Sequence, residues 1–230
     1  MGDIGTVLKT IPYTDETAKK IVKKFCDHVH WLVRVRHVYK VLFEDESCWP
    51  LIEKTALGFF VDLNRILQEY LLLECAKITD PATTGNNENF TVDTLIGSIC
   101  WPNDILRKLT PLRATTWGFR KHIKTARDKL LAHLDRGTIL SDKPLGEFPE
   151  GEDRAFFEAL QKVCDITHEA CFGTIFGHMS LITVGGGDVI SLRRTLECAV
   201  AFKQALLESS GQNKTWLYSC LQKVGHESES

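Results

Sequence analysis

The segment from Arg127 to His133, RDKLLAH, combines side chains that could do acid–base chemistry on a phosphate. Histidine, with an ordinary pKa of about 6.5, can accept and return a proton at neutral pH. Arginine does not titrate, but its guanidinium can hold two phosphate oxygens and offset charge that develops on them. Asp128 could orient a neighbouring side chain. Lys129, four positions before His133, would share its helical face.

The spacing of this segment sets a geometric condition. Six residues of α-helix give a rise of about 9 Å and leave Arg127 and His133 roughly 240° apart around the axis. One straight helix therefore does not aim both side chains at one point, whereas a two-fold dimer would bring two arginines and two histidines into one cleft. The structural alternative is a solvated arginine followed by a helix-terminal histidine that complements the helix dipole.

Apolar residues spaced three and four apart predict that helices position this segment. The fold class expected is all-α, a single antiparallel bundle of about five long helices plus short helices. Residues 1–13 are expected to form a flexible N-terminus, residues 14–222 the bundle, and residues 223–230 a disordered tail. The expected helices begin and end near residues 14–43, 50–79, 92–99, 112–134, 153–172 and 188–207.

Charge is unevenly distributed along a chain whose formal net charge is only -2. Residues 103–136 contain nine Lys/Arg and three Asp/Glu, whereas residues 141–169 contain three Lys/Arg and eight Asp/Glu. This pattern predicts a basic face and an acidic face, with two ordinary solvated helix faces as the alternative. Arg120, Lys121 and Lys124 are the candidate nucleic-acid contacts in the basic stretch, ahead of the motif.

Metal and cofactor motifs are missing from the sequence. The eight cysteines include no C-x-x-C pair, and His28, His30 and His37 lack the spacing of a two-histidine metal site. We therefore expect no metal and no cofactor. Free thiols, the absence of an export signal and the absence of an apolar run of about 20 residues predict a cytoplasmic protein with no membrane segment.

The motif and its surroundings resemble one known group of proteins. RDKLLAHLD resembles the signature helix of the HEPN superfamily, and particularly its AbiU-type abortive-infection branch. Upstream, WPLIEKTALGFFVDLNRIL and the Thr79-Asp80-Pro81 turn follow the order of that branch over roughly residues 20–140. One departure is Lys77, which stands where the branch often carries an arginine.

The resemblance implies a metal-independent endoribonuclease in phage defence or a toxin–antitoxin-like role. Arg127, His133 and Asp128 would then be catalytic, and Lys129, Arg120, Lys121 and Lys124 would bind RNA. It also implies a homodimer with a composite site, and an antitoxin or regulatory partner is a further expectation. The alternative is a HEPN module that binds RNA or nucleotides, or oligomerises, without catalysis.

Overall fold

A computed structural model describes residues 11–126, 148–177 and 187–208, and helices make up most of these ranges. Five are long and two are short, which confirms the predicted all-α class. The helices are α1 (Glu16–Tyr39), α2 (Trp49–Thr55), α3 (Leu57–Ile78), α4 (Val92–Gly97), α5 (Asn103–Ala126), α6 (Glu152–Phe172) and α7 (Gly187–Glu208).

Helix α1 begins where the sequence predicted and ends earlier. The Asp15 carboxylate accepts a hydrogen bond from the Thr17 N–H at 2.7 Å, which satisfies one of the free amides at the helix start. A π-helical segment, Lys40–Glu44, then replaces the last predicted α-helical turn. The apolar stripe of α1 is fully buried and includes Val22, Phe25 and Leu32.

The second predicted helix is two helices. A break at Ala56, with φ −140° and ψ 60°, separates α2 from α3. At this break the Thr55 hydroxyl donates to the Leu51 carbonyl at 2.7 Å, a side-chain bond that competes with the helical pattern. The prediction of one continuous helix over residues 50–79 was therefore wrong in its first turns.

Helix α5 begins at Asn103, nine residues before the predicted start, and contains Pro111. Proline cannot donate to the carbonyl of Arg107, and this loss usually ends a helix. Arg107 and Pro111 both lie on the exposed side of α5, where water can bond to the free carbonyl. The expected continuation of this helix to Leu134 lies outside the described residues.

The main core lies where α6 packs against α1 and α5. The Phe156 ring stacks on Phe119 with centroids 4.6 Å apart. Other fully buried side chains come from all three helices: Phe25, Leu32, Leu109, Ile123 and Leu160. A second cluster joins α7 to α2 and the π-helical segment through Leu42, Cys48, Ile52, Phe60, Val189 and Leu196.

Two very short strand pairs accompany the helices. Strand β1 (Ile11–Pro12) pairs in parallel with β4 (Ile99–Cys100), and Tyr13 stacks on Trp101 with centroids 6.4 Å apart. Residues 11–13, which the sequence assigned to the N-terminal segment 1–13, take part in these contacts. Residues 1–10 and the predicted disordered tail, 223–230, lie outside the described ranges. Strands β2 (Thr83–Thr84) and β3 (Asn87–Glu88) form a hairpin after α3.

Candidate active site

The predicted catalytic segment follows directly after the last described residue of α5, Ala126. Arg127, Asp128, Lys129 and His133 lie outside the described residues. The structure therefore describes the helix that leads into the motif and the residues that pack against that helix.

Arg120 connects α5 to the turn that follows α3. Its Nη2 donates to Asp80 Oδ1 at 3.0 Å, and both side chains are only 14% exposed. Its guanidinium carbon also lies 5.3 Å from the centre of the Trp117 ring, within the range of a cation–π interaction. The Asp80 carboxylate compensates the charge of the largely buried Arg120 guanidinium. The side chain thus points toward the turn, whereas the sequence had assigned it to RNA.

Lys121 and Lys124 lie on the solvent side of the same helix. Both are exposed, whereas Ile123 between them is fully buried. Their spacing of three residues places them on one helical face. This placement keeps their ammonium groups accessible to a large polyanion, so both remain candidate RNA contacts.

The Thr79-Asp80-Pro81 turn is held by hydrogen bonds within the chain. The buried Thr79 hydroxyl donates to the Cys75 carbonyl at 2.8 Å, and the Asp80 N–H donates to the Lys77 carbonyl at 3.1 Å. The Asn89 amide then donates to the Pro81 carbonyl at 2.8 Å. These bonds fix the backbone on both sides of Asp80 and thereby direct its carboxylate toward Arg120.

A cavity of about 290 Å³ adjoins this turn. Among its lining residues is Glu74, whose side chain is 10% exposed and lies between two basic groups. Glu74 Oε1 accepts from Lys77 Nζ at 2.7 Å, and Oε2 lies 3.3 Å from His28 Nε2. The cavity is lined by His28, Glu74, Lys77, Ile78, Asp80, Asn89 and Phe90.

Glu74 was not predicted to be a site residue, and His28 was considered only as a metal ligand. A usable signal was present, because Glu74 is the single charged residue in the apolar run Leu71–Ala76 of α3. Charged residues at buried positions need partners, and Lys77, three positions later on the same helix, is one that the spacing indicates. Within the described ranges, no three His, Cys, Asp or Glu residues are grouped so that they could hold a metal ion.

A second cavity, of about 330 Å³, lies among α1, α3, α5 and α6. Four of its eleven lining residues are aromatic. The Arg36 guanidinium lies 4.6 Å from the centre of one of these rings, that of Phe157. Arg36 also donates to the Asp153 carboxylate. Burial raises the pKa of Asp153, but the Arg36 hydrogen bond and charge outweigh it and leave this pKa below its ordinary value. Arg36 of α1 and Asp153 of α6 therefore form an ion pair without net charge between the two helices.

The family model HEPN_AbiU2, described as AbiU2, matches residues 15–183, which is most of the chain. The chain belongs to the AbiU2 family of HEPN proteins. The match extends from the start of α1 to beyond the end of α6 and includes the RDKLLAHLD segment, so the resemblance drawn from that motif is confirmed. Helix α7 lies outside the match.

This AbiU2 family chain has no significant match among curated proteins or solved structures. In the part of the chain that the structure describes, no helix has both the length and the apolarity needed to cross a bilayer.

The first prediction concerns the Arg120–Asp80 pair. Arg120→Met keeps the aliphatic stem but leaves the Asp80 carboxylate largely buried without this cation. We expect the free energy of unfolding to fall by about 2–3 kcal/mol. Lys121→Met, the exposed neighbour, is the matched control and should change it by less than about 0.5 kcal/mol. Urea denaturation followed by circular dichroism measures both, and equal stabilities of the two variants would contradict the structural role of Arg120.

Proposed function

We propose that this AbiU2 family protein is a metal-independent endoribonuclease that acts in abortive infection. The observation that carries the proposal is the family match across the segment in which Arg127 and His133 are separated by six positions. The helix that leads into this segment, α5, packs firmly in the core through Phe119 and Ile123. A rigid helix of this kind is a suitable support for catalytic side chains.

The proposed reaction is an attack by the RNA 2′-oxygen on the adjacent phosphorus. A neutral His133 accepts the 2′ proton, and a second, protonated histidine gives a proton to the leaving 5′-oxygen. The bond from phosphorus to the 5′-oxygen breaks, and a 2′,3′-cyclic phosphate forms on the other product. Arg127 offsets the charge that builds up on the phosphate oxygens. Asp128 orients a neighbouring side chain, and Lys129 contacts phosphate.

The motif contains only His133, so in this mechanism a second copy of the chain supplies the second histidine. Exposed apolar side chains on the first half of α3 support self-association: Leu57 is 43% exposed, Phe59 63% and Ile66 59%. We therefore propose a two-fold dimer with a composite site.

The second prediction separates catalysis from RNA binding. His133→Ala and Arg127→Ala should each lower RNA cleavage by about 100-fold or more, because one removes proton transfer and the other removes charge stabilisation. EDTA should leave wild-type cleavage unchanged. Arg107→Ala, an exposed arginine on α5, is the control for lost positive charge and should retain activity. Cleavage of a structured RNA, with product analysis for the cyclic phosphate, is the measurement.

Three outcomes would count against this assignment. A wild-type protein that binds RNA without cutting it would favour the non-catalytic module. Cleavage that persists in both variants would move the site elsewhere. Loss of cooperative thermal unfolding in both variants would make Arg127 and His133 structural residues.

The third prediction concerns the composite site. Light scattering at micromolar concentration should give the mass of a dimer. After subunit exchange, an equal mixture of wild-type and His133→Ala protein should keep about a quarter of the activity of the same total amount of wild type, since only a quarter of the dimers then carry both histidines. A monomer, or a mixture that keeps about half of that activity, would contradict a composite site.

The fourth prediction concerns salt. Lys121→Gln combined with Lys124→Gln removes two exposed charges, so the slope of log affinity against log salt for single-stranded RNA should flatten by roughly 1.4. Arg120 is left unchanged because it pairs with Asp80. The control replaces Lys20 and Lys24 with Gln, two exposed lysines on α1. An equal slope in the wild type and the Lys121/Lys124 variant would show that this face does not contact RNA.

A further inference from the structure

We propose that the cavity around Glu74 binds one nucleobase of the RNA and prefers guanine. This inference rests on the proposed function, because it assigns base specificity to the same RNA-cleaving site. Asp80 lines the cavity and holds Arg120 of α5, so the cavity adjoins the helix that leads into the Arg127–His133 segment.

The size and walls of the cavity suit a single nucleotide. Its volume of about 290 Å³ is close to the lower end of the range for small-molecule sites. Phe90 supplies an aromatic ring that is 46% exposed at the cavity wall, and base stacking on such rings is a general means of holding unpaired RNA. The cavity also combines several hydrogen-bond donors and acceptors.

Glu74 supplies the acceptors. An ionised carboxylate has about four lone-pair positions. Lys77 takes one on Oε1, and His28 lies on the Oε2 side. The remaining lone pairs of the two carboxylate oxygens can accept two parallel N–H hydrogen bonds from one ligand. Guanine carries two such donors side by side, its ring N1–H and its exocyclic amino group, on the Watson–Crick edge.

Lys77 supplies the complementary donor. Its ammonium has three N–H bonds, of which one donates to Glu74, and its side chain is 54% exposed. The remaining N–H bonds can donate to guanine O6, which lies next to N1. His28, with a side chain 34% exposed, stands on the other side of Glu74 and can adopt the tautomer that donates to the carboxylate or to the ligand.

The other bases match this pattern less well. Uracil has a single ring N–H between two carbonyls and no amino group, so only one donor faces the carboxylate. Adenine has an amino group but no carbonyl for Lys77, and a ring nitrogen that would repel Glu74. Cytosine places its amino group beside an acceptor nitrogen. A carboxylate flanked by a lysine therefore selects for guanine.

Titration of the full-length protein with GMP, AMP, CMP and UMP by calorimetry tests the proposal. GMP should bind at least about tenfold more tightly than UMP, the size of effect expected for one additional charge-assisted hydrogen bond. Glu74→Gln should abolish this preference, and Lys77→Met should weaken GMP binding about tenfold. The matched controls are Glu69→Gln, an exposed glutamate on α3, and Lys20→Met on α1, and both should bind GMP as the wild type does.

The result does not depend on RNA cleavage. GMP has no bond between nucleotides to cleave, so its binding to the wild type is measured whether or not the protein cuts RNA. Failure of the nuclease proposal and failure of the guanine pocket therefore give different results. Equal affinity for the four mononucleotides, or no GMP binding up to about 5 mM, would overturn the pocket. If Glu74→Gln lowers the melting temperature, the test rests on Lys77→Met, because Lys77 is exposed. Unchanged GMP affinity in the Lys77→Met variant would then overturn the guanine pocket.

Discussion

The packing of α6 between α1 and α5 is the interaction on which the remaining structure depends. Phe156 is fully buried and stacks on Phe119, and Leu160, Val163 and Cys164 continue the buried stripe of α6. Full burial of such side chains contributes about 1.5–3 kcal/mol each, far more than an exposed ion pair. The position of α5, and with it the start of the catalytic segment, follows from this apolar contact rather than from charge.

Electrostatic interactions then fix details that apolar packing leaves open. Apolar side chains hold α5 against α6 without specifying how the loop after α3 meets α5. The Arg120–Asp80 pair supplies that specification, since a largely buried arginine and aspartate tolerate few other arrangements. Arg36 and Asp153 likewise add an ion pair to a contact between helices that apolar side chains hold together, and the Arg36 guanidinium lies against the Phe157 ring.

Much of the fold could be predicted from the sequence, because the long helices have regular apolar stripes and clear ends. Helix α1 begins within two residues of the predicted start, and α6 and α7 begin within one residue of the predicted positions. Errors occurred where local signals were weak or absent. Helix α5 begins nine residues before the predicted start, and Ala56 gave no sign of the break before α3. Asp80, the partner of Arg120, is 40 residues distant along the chain. His28, one partner of Glu74, lies on another helix, so spacing alone could not identify either contact.

The short parallel pair between β1 and β4 has a consequence for the order in which the chain folds. Its partners, Ile11 and Ile99, are nearly ninety residues apart, and only two residues pair on each side. Closing such a long loop costs entropy that two backbone pairings cannot repay alone. The pair therefore forms after α1 and α4 have docked on the core, and it opens before they separate. The amide of Ile11, bonded to the Ser98 carbonyl at 2.8 Å, should accordingly exchange with solvent deuterium well before the amides of the buried stripe of α1.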